Sequence, residues 1–270
     1  MLRSRVATAL LLVPVVLVCV FALPTGWFAV VLGAVTLMAG WEWTALAGMR
    51  RDSARWAYLA LLTLLLAWIG GGIGAGVTLL VLVAGLAWWL SAVPQLIRFG
   101  SGHGPAEPMK PAVGIWVGLF VLVPAWTGLV WLHTLPGGQW LVVLVLVLIW
   151  AADIGAYFSG RSLGRHRLAP RISPGKTLEG VAGGLLLTLA AAFLMRELAP
   201  LPVISGTAFS ALVVLTVMAS ICGDLYESMV KRRAGMKDSG TLLPGHGGIL
   251  DRIDSVTAAA TVFAAGIYWL

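Results

Sequence analysis

Residues 112–133 read AVGIWVGLFVLVPAWTGLVWLH, with no Asp, Glu, Lys or Arg. A helix this long crosses a hydrocarbon core of about 30 Å at about 1.5 Å rise per residue. Similar apolar runs lie on both sides, giving nine candidate spans at 6–23, 27–46, 56–73, 76–93, 112–133, 139–157, 178–196, 203–222 and 255–270. The third and fourth are separated only by GGGIGAG, which implies a tight hairpin. The chain is 60% hydrophobic and 11% charged, against about 25% charged in ordinary soluble domains. Mean hydropathy is +0.96. A soluble domain is excluded. The expected fold is an all-α integral membrane protein, a polytopic helical bundle of about nine transmembrane helices.

The opening MLRSRVATALLLVPVVLVCVFALPTG resembles a signal peptide, with a basic start, an apolar stretch and small residues. Its apolar run of about 18 residues is long for a leader and sufficient for a span. A retained first helix is expected. The two cysteines, Cys19 and Cys222, lie inside apolar runs without metal-like spacing, so reduced, buried thiols are expected.

Charge placement sets the orientation. With the N-terminus in the cytosol, 17 of the 18 Lys and Arg fall in cytosolic segments, as the positive-inside rule requires. Only Arg196 falls outside, at a helix end where it can snorkel. Nine spans put the C-terminus outside. The net charge of +7 and the pI near 10.0 therefore report topology first and phosphate binding second, and nucleic acid is not a partner. No internal repeat interrupts residues 1–270, which read as one polytopic membrane domain. The polar stretches are 94–111, 158–177 and 223–254, all on the cytosolic side. The first, PQLIRFGSGHGPAEPMKP, reads as a connecting loop. The other two place the catalytic region in 153–180 and 222–255.

In CGDLYESMVKRRAGMKDSG (222–240), Asp224, Glu227, Ser228 and Lys231 share one helical face at i, i+3, i+4, i+7 spacing. A carboxylate at the end of a span is tolerated where it faces a polar cavity or a cation. A solvated helix end with i,i+4 ion pairs is the simpler reading of the same residues. Downstream, KDSGTLLPGHGGILDRIDS (237–255) gathers Lys, His, three Asp, Arg and four Gly in an otherwise apolar chain. Asp251 and Asp254 fall three apart in the first turn of the last helix, where the helix dipole alone would favour them. Gly245, Gly247 and Gly248 flank His246 and let backbone approach a ligand closely. A glycine-rich loop entering a helix N-terminus can bind phosphate, and carboxylates beside it can hold magnesium bridged to phosphates. Lys231, Arg232 and Lys237 supply positive charge nearby.

DIGAYFSGRSLGRHRLAPRISPGKTLEG (153–180) places Asp153 near the cytosolic end of the sixth span. SPGKT is not a P-loop, because Pro170 stands where the leading Gly is required. Pro174–Gly175 reads as a turn presenting Ser173 and Lys176 together, with Thr177 as the cap of the seventh helix. Glu42, in GWEWTAL, is the other carboxylate inside a span. It touches the polar site or snorkels, and a supporting role is expected. His103, His133 and His166 read as isolated surface or loop histidines. The thirteen Trp read as interfacial belt or core.

SMVKRRAGMKDSGTLLPGHGGILDRIDS, residues 228–255, resembles the motif of the phosphatidate cytidylyltransferases, also called CDP-diacylglycerol synthases. That pattern runs Ser, Lys-Arg, Lys-Asp, His-Gly-Gly, Asp-Arg and Asp, and each element is present. DIGAYFSGR and ISPGKTLEG resemble further stretches of the same family, and the length and multi-span layout fit the whole chain. The resemblance implies that CTP and phosphatidic acid give CDP-diacylglycerol and pyrophosphate with magnesium, a second, monovalent cation being left open. It implies metal ligands at Asp224 and Asp251, extended here to Asp254 and Glu227. Asp224, Asp251, Lys231 and Lys237 are the expected catalytic residues. Ser173, Lys176, Ser228, Arg232, Asp238, His246, Gly247, Gly248 and Arg252 are the expected substrate contacts. A homodimer in a bacterial inner membrane, with its site facing the cytosol, is the family-level expectation. Two alternatives are a CTP-dependent polyprenol or phytol kinase, which would release CDP, and an ion-coupled transporter, which would show inverted repeats.

Overall fold

The computed structural model describes residues 2–240 and 247–270, with side chains from residue 12 onward except that of Ala75. Among them nine helices run in chain order: α1 (Leu2–Ala22), α2 (Thr25–Leu46), α3 (Asp52–Gly71), α4 (Ala75–Gly100), α5 (Pro111–Thr134), α6 (Gly138–Leu163), α7 (Leu178–Leu198), α8 (Gly206–Arg233) and α9 (Leu250–Trp269). A short antiparallel hairpin, β1 (Arg167–Ala169) and β2 (Ser173–Thr177), joins α6 to α7 and is the one departure from an all-α reading. Seven of the described helices, α2 to α8, have the length and hydropathy to cross a bilayer. α9 is apolar inside but opens with Asp251, Arg252 and Asp254, and its buried face is mostly Ala and Thr. It is an interior helix.

α5 is buried along nearly its whole length, which is why its apolar residues go all the way round. It packs on α9, α4, α2, α6 and α3, and α9 in turn packs on α8, α4 and α6. Lipid tails are as apolar as Leu, so helices in a bilayer associate through close packing of small residues. Gly128 faces Ala264 and Gly223 faces Ala258, bringing α5 and α8 onto α9. The tightest seam joins α6 and α7. A side chain at Gly155 would strike the backbone of Gly183 and Gly184, and one at Gly184 would strike the carbonyl of Ala152.

Several boundaries differ from those expected. α4 continues through residues 94–100, read above as loop, because Pro94 is absorbed inside the helix, as membrane helices permit. α6 runs past 157 to Leu163. α9 starts at Leu250, five residues before the expected 255, so Asp251 lies in its first turn. His133 is not a surface histidine. It is 3% exposed, bonded to Thr25 Oγ1 and the Val20 carbonyl at 2.9 Å each, and stacked on Phe28. The cysteines are free and half-buried.

The cytosol-assigned segments meet at one end of the bundle. Arg233 Nε donates to the Glu107 carbonyl at 2.9 Å, Arg232 Nε donates to the Ile172 carbonyl at 3.4 Å, and the Arg171 guanidinium packs on Gly102. Arg196, at the other end, donates to the Ile204 carbonyl at 2.6 Å.

The glycine seam is testable. Gly155→Leu should destabilise the detergent-solubilised protein by about 1–3 kcal/mol or more. Gly26→Leu, where nothing lies within 4 Å of the added carbon, should leave the thermal midpoint near the parent value.

Candidate active site

The last three turns of α8 carry the first half of the site. Ser228 Oγ donates to Asp224 Oδ1 at 3.3 Å, one turn away. Lys231 Nζ lies 3.0 Å from Glu227 Oε2 and 2.6 Å from Asp251 Oδ1, so one ammonium ties α8 to the start of α9. The three side chains are 12%, 4% and 8% exposed. At such burial a charge is stable only with its partner in place. Asp251 is held on its other side as well. Its Oδ2 accepts from Ser239 N and Ser239 Oγ, both at 2.9 Å, and from Gly248 N at 2.7 Å. Gly247 beside it has φ +80°, a backbone region that glycine enters without strain.

α9 adds Asp254, one turn after Asp251. Its Oδ1 accepts from Ser255 N at 2.6 Å, and its carboxyl meets that of Glu227. Glu227 Oε1 is buried without a hydrogen-bond partner.

The hairpin supplies the remaining cation. Lys176 Nζ reaches Asp224 Oδ2 at 2.5 Å. Thr177 accepts from Gly180 N at 3.1 Å and caps α7, as expected. The expected turn at Pro174–Gly175 is instead part of β2. The pairing is irregular between these residues: Ser173 pairs with Ala169 near the hairpin tip, and Thr177 with Arg167. Only Lys176 is brought to the carboxylates.

Asp224, Glu227, Ser228, Lys231, Asp251, Asp254, Gly247, Gly248 and Lys176 therefore converge. Arg232, Lys237, Asp238 and Arg252 are exposed around the rim. His246 lies outside the described residues. Two participants were not singled out as ligand or catalytic candidates. Asp153 lines a cavity of about 220 Å³ between α6, α7 and α8, together with Lys176, Thr177, Val217, Ser220 and Ser255. Ser239 joins Asp251 to Glu42, which it contacts at 3.0 Å. Asp153 was visible as a carboxylate inside a span; Ser239 carried no signal in the text beyond its place in the polar stretch. A larger groove of about 790 Å³ between α4, α8, α9 and the hairpin contains no charged residue. Of the two, only the smaller is lined by charged side chains, Asp153 and Lys176.

Among the described residues no three carboxylates stand together as a finished metal cage, since Lys176 and Lys231 occupy Asp224 and Asp251. Magnesium is commonly held by one or two carboxylates plus substrate phosphates. The unpartnered Glu227 oxygen and the all-oxygen donor set fit an ion of that kind.

A model of the cytidylyltransferase family matches residues 3–270. A phosphatidate cytidylyltransferase of Pseudomonas aeruginosa is 43% identical over 274 residues, covering 98% of this chain and 96% of that protein. One from Haemophilus influenzae is 37% identical over 282 residues, covering 98% of each chain. One from Brucella suis is 36% identical over 269 residues, covering 97% of this chain and 91% of that protein.

Lys231→Met strands two buried carboxylates. It should lower stability in detergent by about 3–5 kcal/mol, read as a fall in thermal midpoint. Adding Glu227→Gln should recover part of that loss.

Proposed function

We propose that this chain, which belongs to the cytidylyltransferase family, joins CTP to phosphatidate, giving CDP-diacylglycerol and pyrophosphate. It is a nucleotidyltransferase built from membrane-type helices. The observation that supports the choice of substrates is the lysine–carboxylate cluster at one end of an apolar bundle, whose Lys176 also lines a cavity of mixed polar and apolar walls with Asp153. A soluble nucleotide and a lipid phosphate can meet only at such a boundary.

An oxygen of the lipid phosphate attacks the α-phosphorus of CTP. A new P–O bond forms, the bond from that phosphorus to the bridging oxygen breaks, and pyrophosphate leaves with the electron pair. Phosphatidate is already an anion near about pH 7, so no strong general base is required. The protein's work is positioning and charge stabilisation. Lys176 and Lys231, held by carboxylates in this state, are the cations placed to turn toward phosphate oxygens. Lys237 and Arg232 at the exposed rim face the side from which nucleotide arrives, with Ser228, Asp238, Arg252 and the Gly247–Gly248 backbone close by. Bound magnesium would supply charge neutralisation across the phosphates. Asp224, Glu227, Asp254 and Asp251 through Oδ1 are the residues that would hold it; Asp251 Oδ2 already has three donors. Placement in a bacterial inner membrane, a cytosol-facing site and a homodimer belong to the same proposal.

Purified protein in detergent, given magnesium, phosphatidate and CTP labelled at the α-phosphorus, should move label into the lipid phase and release pyrophosphate. EDTA should stop it. Release of CDP with a polyprenol acceptor, and no labelled lipid, would replace this reading by a kinase. Asp251→Asn should reduce turnover about a hundredfold or more while the protein inserts and extracts normally. His166→Ala should leave turnover near the parent level, because its pair with Glu179 is solvent-exposed and the His166 backbone N–H still reaches the same carboxylate.

A further inference from the structure

Glu42 is the only charged residue of α2 and is 3% exposed. Its carboxylate is nevertheless fully used. Oε2 accepts from Ser239 Oγ at 3.0 Å and from Leu250 N at 2.8 Å, and Oε1 accepts from Ile249 N at 3.0 Å. Two of these donors are amides at the start of α9, which have no partner inside their own helix. The carboxylate thus serves as a cap supplied by a helix more than two hundred positions away in sequence.

The surroundings are built for it. Trp43, the next residue, is 1% exposed and donates from Nε1 to the Gly114 carbonyl at 2.8 Å, fixing α2 on α5. Gly240 and Gly248 lie against the Glu42 carboxylate, and a side-chain carbon at either would collide with it. Ser239, 2% exposed, stands between Glu42 Oε2 and Asp251 Oδ2, 2.9 Å from the latter. A single hydroxyl proton serves one of these carboxylates at a time. A hydrogen-bonded line therefore runs from Glu42 through Ser239 to Asp251, and through Asp251 Oδ1 to Lys231 and Glu227.

We propose that Glu42 is a positioning residue for cytidylyl transfer. It holds Ser239 and the first turn of α9 so that Asp251 keeps Oδ1 directed at Lys231. Glu42 touches neither substrate; it acts through Ser239 and the α9 amides. The inference rests on the function proposed above. It also accounts for a carboxylate in the one buried place on α2 where the two ends of the glycine-rich segment approach.

The test uses the full-length protein with Glu42→Gln, Ser239→Ala and both together. Glu42→Gln keeps the shape but turns an amide NH₂ toward donors, so kcat should fall about 10–100-fold, as for other residues that orient a catalytic group. KM for CTP should change much less, and the thermal midpoint should stay near the parent value. The double variant should be no slower than the slower single variant, because both changes break one line. Hydrogen exchange should quicken in peptides covering 247–255 and remain unchanged in α5 and α6. Parent kcat in Glu42→Gln would overturn the proposal. So would multiplicative losses in the double variant, or a loss of activity matched by general loss of exchange protection. Glu42→Asp, shorter by one methylene but still anionic, should regain part of kcat if the amides matter. The exchange comparison needs no turnover, so it decides the structural half even if the parent transfers no label.

Discussion

One ammonium organises the catalytic end of this protein. Lys231 comes up the last turns of α8 and lies between Glu227, on its own helix, and Asp251, at the start of α9. All three are shielded from water, where an unpaired charge is costly and a paired one is tolerated. The requirement that these charges find each other fixes how α8 and α9 are set side by side. α9 begins at Leu250, so Asp251 lies in its first turn beside Lys231, and there its second oxygen collects the amides of Ser239 and Gly248.

The second cation arrives by a different route. Lys176 sits on a hairpin between α6 and α7, and its position depends on how closely those helices approach. Gly155, Gly180, Gly183 and Gly184 let them touch backbone to backbone. The hairpin then lies over α8, where Arg232 holds its tip at the Ile172 carbonyl and Lys176 meets Asp224. The DIGAYFSGR and KTLEGVAGG stretches therefore mix two duties. Their glycines belong to packing, and Asp153 and Lys176 belong to the cavity.

These duties were unequally legible in the residues. The spans could be read because membrane thickness imposes a length on apolar runs, and the α8 face because i, i+3, i+4, i+7 spacing is geometry. The convergence of residues 153–180 with 222–255 followed from the polar stretches sharing one side. Helix ends were less visible: Pro94 suggests a break in water but is absorbed in α4. The SPGKT stretch has turn residues, yet its pairing with residues 167–169 makes it an irregular strand, with Ser173 at Ala169 and Lys176 reaching Asp224. His133 shows no pattern in sequence because its partners, Thr25 and Val20, are more than one hundred residues away. The line from Glu42 to Ser239 was hidden for the same reason.

Gathering several phosphates calls for cations, yet here both central lysines are already paired with carboxylates. The arrangement follows from where the site lies. An unneutralised cation at the edge of an apolar bundle would destabilise the empty protein, and lysines left unpaired would attract any lipid headgroup. Carboxylates solve both problems and are themselves acceptors for a divalent ion. On the proposed mechanism Asp224, Glu227, Asp251 and Asp254 would hold magnesium, which would supply charge neutralisation across the phosphates, and Lys176 and Lys231 would be free to turn toward phosphate oxygens. Each lysine then has an anionic partner both before and after substrate binds, so neither state leaves a bare ammonium near hydrocarbon. That balance explains why the site contains acids and bases in comparable number although its substrates are all anions.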